Sequence, residues 1–388
     1  MARKVIHVAL NGVTGRMGYR QHLVRSLLAI REQGGIPLDD GTSLYPEPVL
    51  VGRSEERLRA IAERHGLSRW TTNLDEVLGD PEVGVYFDTQ VTSARETAVA
   101  RAIEAGKHVY TEKPVAASAA AAFALAEAAR AAGITHGVVQ DKLFLPGVIK
   151  LRRLVREGFF GRVLSVRLEF GYWVFEGDGY PAQRPSWNYR AEDGGGIVLD
   201  MFPHWQYLLE DLFGPVSAVY ARRATHLPKR WDEAGEPYDV TADDAAYAVL
   251  EFGGGLIASV NSSWAVRVNR RELLELQVDG THGSAVAGLR NCAVQHKVST
   301  PMPVWNPDLP DPLDYQAMWS DVPDNMDYGN GFKAQWELFL RAAARGEPFE
   351  WDLFAGARGV QLAELAMLSS AEGRRVAVPA PVDPVPGA

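Results

Sequence analysis

Two short stretches of this chain hold residue types that could do proton chemistry. The first is TEKP, Thr111 to Pro114. Pro114 pushes the residue before it into extended geometry, so Lys113 has a set direction, and a cis Lys-Pro bond is open to it. An ammonium so placed can hydrogen-bond a substrate hydroxyl and stabilise the alkoxide that forms as a hydride leaves. The other reading is a surface lysine paired with Glu112. The second stretch is EDGGGIVLDMFPHWQYLLEDLFG, residues 192–214, where Asp200 and His204 stand four apart, on one helical face and within reach of a shared hydrogen bond. An acid beside a histidine fixes its tautomer and raises its basicity, as a general base for a secondary alcohol requires. Against this, Asp200 could be an N-cap and His204 simply packed near Phe202 and Trp205. Pro203 is tolerated only in a first turn, which predicts a helix beginning near Leu199 or Asp200 and removes one N–H that an Asp200 cap would bind.

The elements that must position the lysine read as alternating strands and helices. Val5–Leu10, 48–52, 83–88, 108–114 and 135–140 are apolar runs suited to buried parallel strands, with helices through Leu23–Ile30 and over 54–66, 94–106 and 117–132. Residues 34–46 read as a long surface insertion. This alternation predicts a doubly wound parallel sheet. Directly after its first strand comes ALNGVTGRMGYRQHL, residues 9–23, with Gly12, Gly15 and Gly18 evenly spaced. A glycine turn there opens a helix whose N-terminus can hold a pyrophosphate, although G-x-x-G-x-x-G departs from the usual G-x-G-x-x-G. Gly12, Thr14, Gly15, Arg16 and Met17 are candidate cofactor contacts, joined at later strand ends by Thr89, Glu112 and Lys113. The second strand ends Val51-Gly52-Arg53-Ser54, without the acid that holds a ribose 2′-hydroxyl. Arg53 and Ser54 suit a 2′-phosphate, which favours NADP over NAD; the alternative is a solvated charge and an N-cap.

The 388 residues, 46% hydrophobic and 23% charged, can bury the cores of two domains. A net charge of −9 with no basic run argues against a nucleic-acid partner, and no apolar run reaches the length of a membrane span. The single Cys292 cannot form an internal disulfide, and the N-terminus lacks the pattern of a signal peptide, so a cytoplasmic location is expected.

The stretches VALNGVTGRMG, AIEAGKHVYTEKPVA, FFGRVLSVRLEF, DGGGIVLDMFPHW and the C-terminal QWELFLRAAARGEPFEWDLFAGARGVQLAELAMLSSAEGRRVAV resemble the glucose-fructose oxidoreductase / inositol dehydrogenase / rhizopine-catabolism (Gfo/Idh/MocA) family over nearly the whole length. The resemblance implies Lys113, Asp200 and His204 as the catalytic group and no metal. It also implies an α/β architecture: an N-terminal Rossmann domain, 1–141, then an α+β domain, 142–388, built on a large open, mostly antiparallel sheet. Strands of that sheet are expected at 162–173, 216–224, 245–252, 255–265, 273–280 and 283–289, the last two joined by an Asp279-Gly280 turn, with a Pro-rich irregular arm at 297–312. The exposed sheet face implies a homo-oligomer, dimer or tetramer. Two departures stand out. Thr89-Gln90-Val91-Thr92-Ser93-Ala94 replaces the family's T-P-N-x-x-H, and Tyr207 stands where an Asp commonly follows the histidine by three residues.

The expected activity is hydride transfer between NAD(P) and a secondary hydroxyl of a sugar, sugar derivative or cyclitol. Tyr172, Arg184, Trp187 and Tyr189 flank the catalytic helix and, with Lys142, are candidate substrate contacts, since aromatic faces stack on sugar C–H surfaces. Alternatives are glycoside cleavage through transient oxidation with retained cofactor, and a silent dinucleotide-sensing regulator. The glycine turn also resembles that of dihydrodipicolinate reductase, whose His-His motif is missing here.

Overall fold

The structure, a computed structural model, describes residues 2–267, 271–300, 308, 314 and 316–381. The Pro-rich arm expected at 297–312 therefore lies mostly outside the described residues. The chain divides into two compact units, Met1–Phe144 with Gly329–Gln361, and Leu145–Tyr328 with Leu362–Ala388.

The first unit is a sheet, parallel except for one short edge strand, with helices on both faces. Its strands are β1 (Arg3–Asn11), β2 (Ile36–Pro37), β3 (Ser43–Val51), β4 (Trp70–Thr71), β5 (Val83–Asp88), β6 (His108–Thr111) and β7 (His136–Val138). They run in the order β2-β3-β1-β5-β6-β7, with β4 also on β3. The crossovers are α1 (a π-helix over Gly18–Leu28 continuing as Ala29–Glu32), α2 (Glu55–His65), α3 (Leu74–Gly79), α4 (Thr92–Glu104) and α5 (Ala119–Ala131). The supposed insertion at 34–46 is part of the sheet. Ile36–Pro37 pairs antiparallel with Leu44 and Ser43, and Ile36 and Leu44 are fully buried. Pro46 and Pro48 disguise the first half of β3; they lie where its outer edge is unpaired, between β2 and β4, a place that tolerates proline.

Residues 329–361 belong to this unit rather than to the second, as the 1–141 boundary had assumed. The helix Gly331–Arg345 buries Trp336, Phe339 and Leu340 in the core that holds Phe87 and Tyr110, with Tyr110 stacked on Phe339 at 4.6 Å. Gln335, fully buried beside them, accepts from the Gln140 N–H at 2.8 Å and donates to the Val138 carbonyl at 3.1 Å.

The second unit carries β8 (Val163–Phe170), β9 (Val216–Ala224), β10 (Lys229–Trp231), β11 (Pro237–Asp239), β12 (Ala245–Phe252), β13 (Ile257–Ser263), β14 (Leu274–Gly280), β15 (Gly283–Ala287), β16 (Cys292–His296), β17 (Ser320–Asp321) and β18 (Val376–Ala377). Nine of them form one sheet, β17-β16-β15-β14-β8-β13-β12-β9-β18, antiparallel except for the β13–β8 pair; β10 and β11 form a separate ribbon. The β14–β15 turn falls at Thr281-His282, because Asp279 is already paired with Ser284. Helix α6 (Pro146–Arg156) lies on β15 and β16, and α7 (Ile197–Phe213) on β9, β12 and β13. Along β12 and β13 side chains alternate between buried and exposed, so the opposite face presents Tyr220, Tyr247, Val249 and Ile257.

Candidate active site

The strand ends of the first unit form one row. Val51, Asn11, Asp88 and Thr111 are lateral neighbours in register, and every expected cofactor residue follows one of them. Gly12 has φ +84°, and a Cβ there would come within 2.9 Å of the Thr89 backbone, so glycine is needed both for conformation and for close approach. The turn is tied down by Gly12 N–H to the Val51 carbonyl, 3.1 Å, and Thr89 N–H to the Asn11 carbonyl, 3.0 Å. Gly15 and Arg16 are exposed, and α1 has neither a side-chain cap nor an acid in its first turn, which leaves its positive end for an anion. Beyond the row, a cavity of about 230 Å³ is lined in part by Val51, Gly52, Arg53, Gln90 and Arg101. Arg53 is exposed there, and among the described residues no carboxylate pairs with it. The residues present thus fit a dinucleotide. Ser54 takes the simpler of its two readings: its hydroxyl accepts from the Arg57 N–H and caps α2.

Glu112, expected to face the cofactor, turns inward instead. One carboxylate oxygen lies 2.8 Å from His22 Nε2 and the other accepts the Lys113 N–H at 3.1 Å. The Trp336 indole N–H donates to His22 Nδ1 at 3.0 Å, and since it can only donate, the His22 proton sits on Nε2 and points at Glu112. Burial alone would raise the Glu112 pKa, but the His22 hydrogen bond and the charges of Lys113 and Arg95 outweigh it and hold the carboxyl below its ordinary value. Glu112 is a brace for the lysine turn. The Lys113-Pro114 bond is cis. Lys142, in the short turn after β7, lies 3.1 Å from its neighbour Asp141.

In the second unit α7 begins at Ile197, two residues before the expected start, which leaves Pro203 inside the helix. The early start is made possible by Asp243, whose carbonyl accepts the Ile197 N–H and whose carboxylate accepts the Val198 N–H, each at 2.9 Å. Gly196, φ +120°, lets the chain pass close to that carboxylate: a Cβ would lie 3.0 Å from Asp243 Oδ1. With Asp243 as the cap, the N-cap reading of Asp200 falls away. Asp200 instead accepts from Arg184 Nη1 at 2.7 Å, and the guanidinium lies over the Trp264 ring at 4.5 Å. His204 is buried, with Nδ1 2.7 Å from the Tyr207 hydroxyl. Tyr207, one turn beyond His204, therefore holds one ring nitrogen of the histidine.

The candidate substrate residues sort themselves by exposure. Trp187 is 49% exposed and Tyr172 half-buried, so both have surface to offer. Tyr189 does not: it is fully buried, donates its hydroxyl to the Phe175 carbonyl at 2.9 Å, and has the Arg230 guanidinium over its ring at 4.1 Å. Tyr189 is therefore core rather than a substrate contact, while Arg184 anchors Asp200. Asp243 and His22 carried no sequence signal. Tyr207 did, being three residues after His204. Among the described residues no group of three or more His, Cys, Asp or Glu could hold a metal ion, and no helix is long and apolar enough to cross a membrane.

Comparison with known proteins bears on both units. Residues 6–139 match the oxidoreductase family with an NAD-binding Rossmann fold, and residues 148–286 match the GFO/IDH/MocA C-terminal domain. D-xylose dehydrogenase of Paenarthrobacter nicotinovorans is 56% identical over 379 residues, 97% of this chain and 98% of the relative. Levoglucosan dehydrogenase of Pseudarthrobacter phenanthrenivorans is 26% identical over 264 residues, 62% of this chain and 66% of the relative. Among solved structures, a levoglucosan dehydrogenase in complex with NADH and L-sorbose superposes with a TM-score of 0.79 at 23% identity, covering 96% of this chain and 99% of that one, which speaks for the fold. The chain belongs to the GFO/IDH/MocA family of oxidoreductases, and its first unit is an NAD-binding Rossmann fold.

Proposed function

We propose that the protein is an NAD(P)-dependent sugar dehydrogenase that oxidises a hydroxyl of an aldopentose, with D-xylose the first substrate to try. The observation that carries this reading is the 56% identity with a D-xylose dehydrogenase across 97% of the chain. When bound, the nicotinamide accepts the hydride. The glycine turn 12–17 and the ends of β3 and β5 hold the dinucleotide. His204, its ring set by Tyr207, takes the proton of the substrate hydroxyl, and Asp200, anchored by Arg184, supplies negative charge on the same helical face. Lys113 stabilises the developing alkoxide, a role favoured by the Glu112 and Pro114 contacts that fix its turn. Trp187, Tyr172 and Lys142 are available to the sugar. The test is a cofactor-reduction screen over sugars, cyclitols and sugar acids with NAD⁺ and with NADP⁺. D-xylose should give the reduced-nicotinamide absorbance; no reduction with any sugar would remove the reading.

The exposed guanidinium of Arg53 at the end of β3, with no acid in that position, favours NADP. Replacing it by Asp should move the NADP-to-NAD ratio of kcat/KM towards NAD by about 10- to 100-fold, the worth of one charge-assisted phosphate contact. An unchanged ratio would take the 2′-phosphate away from Arg53. The outer face of the large sheet, which exposes Tyr220, Tyr247, Val249 and Ile257, favours a homo-oligomer, for which light scattering should give two or more times the 42.5 kDa chain mass; a mass equal to one chain would exclude it. The lone, buried Cys292 suits a cytoplasmic protein.

A further inference from the structure

We infer that Arg95 is a positioning residue for Lys113, acting through the backbone of the turn that carries it; the inference rests on the alkoxide-stabilising role proposed for Lys113. Arg95 sits in the first turn of α4 with 3% of its surface exposed. Its guanidinium donates from Nε to Asp88 Oδ1 at 3.2 Å, from Nη2 to the Gln90 carbonyl at 2.6 Å, and from Nη1 to the Pro114 carbonyl. Those acceptors lie on two separate stretches of chain: the Asp88 carboxylate and Gln90 carbonyl where β5 ends and its loop begins, and the carbonyl of the residue next to Lys113. The network continues on the other side. The second oxygen of Asp88 accepts from the Tyr86 hydroxyl at 2.7 Å, and that hydroxyl accepts from Asn11 Nδ2 at 2.8 Å. Burial and the Asp88 charge push the Tyr86 pKa well above its ordinary value, so the hydroxyl keeps the proton it donates. An unbroken line of hydrogen bonds therefore runs from the residue that opens the glycine turn to the turn that presents the lysine.

A buried guanidinium is tolerated only when its charge is paired and its donors are met. Here the pairing partner is Asp88, while two of the donors go to loop carbonyls rather than to the body of the sheet or to α4. Such an arrangement adds little to the apolar core and a great deal to the relative placement of the two loops that follow β5 and β6. The planar fork sets the directions to all three acceptors at once, which a lysine at the same position cannot do. A shift of the Pro114 carbonyl would move the neighbouring Lys113, and about 1 Å of misplacement can reduce turnover about 100-fold.

The test is a double-mutant cycle between Arg95→Lys and Lys113→Met, read as kcat with D-xylose, as the dissociation constant for the oxidised cofactor, and as the thermal midpoint. In the otherwise native chain, Arg95→Lys is expected to lower kcat about 10- to 100-fold while cofactor affinity stays within about threefold. On the Lys113→Met background the same change should alter kcat by less than about threefold, because the residue acts through a side chain already gone. An equal loss on both backgrounds, or no loss on either, would overturn the inference and leave Arg95 as ordinary packing. Should Arg95→Lys fail to fold, Asp88→Asn loosens the same clamp from its other end and is read by the same cycle. A Lys113→Met enzyme as fast as the native one would instead sink the role of Lys113 itself, a separate outcome visible before Arg95 is touched.

Discussion

His204→Ala is expected to lower kcat about 100- to 10,000-fold, the usual contribution of a positioned general base, with cofactor affinity intact. The side chain is buried on α7, and none of the residues that hold the dinucleotide lies on that helix, so its loss should spare cofactor binding. Its orientation has an identifiable source in the Tyr207 hydroxyl, 2.7 Å from Nδ1. Tyr207→Phe keeps the ring and removes that hydroxyl, so it should reproduce part of the loss, about 10-fold, with a destabilisation of about 1–2 kcal/mol for the deleted buried hydrogen bond. Turnover by His204→Ala at the native rate would discard the proton-transfer assignment, whereas a weakened cofactor dissociation constant would show the residue to be supporting the fold instead.

Lys113→Met should lower kcat about 100- to 1,000-fold, as expected when a donor aimed at developing negative charge is removed. The side chain leaves a turn whose backbone is already held by Glu112 on one side and by Arg95 on the other, so loss of the ammonium should not release the turn. The KM for sugar should rise less than kcat falls, because the alkoxide exists only near the transition state. A variant that loses sugar affinity alone, at unchanged kcat, would make Lys113 a binding residue.

The residue types that announce the chemistry were legible without coordinates: the glycine turn after β1, the lysine after β6, and the Asp–His pair on one helical face. What surrounds them was not, for specific reasons. Glu112 sits beside the lysine in sequence, but its partner His22 lies 90 residues earlier, and the Trp336 that sets the His22 proton lies 314 residues after His22. No local pattern carries that address. The start of α7 was misjudged because Pro203 argues for a first turn, while the caps that start the helix earlier come from Asp243, beyond any local rule. Likewise Pro46 and Pro48 hid the first half of β3, which tolerates them only because its outer edge is unpaired there. Tyr189 looked like a sugar platform by composition; only burial and the Arg230 above its ring show it to be core. The two departures from the family pattern, at Thr89–Ala94 and at Tyr207, mark places where this chain solves positioning its own way. Arg95 ties down the first loop, and a phenol rather than a carboxylate holds the histidine at the second.

Direct hydride transfer from sugar carbon to nicotinamide is the step on which every role assigned here depends. It can be read by supplying D-xylose deuterated at its ring carbons together with oxidised cofactor, then weighing the reduced nucleotide by mass spectrometry. The reduced cofactor should carry one deuterium from the sugar, and substituting His204 should slow its appearance without changing its origin. A reduced cofactor bearing only protium, or a deuterated sugar consumed with no reduced cofactor formed, would contradict it.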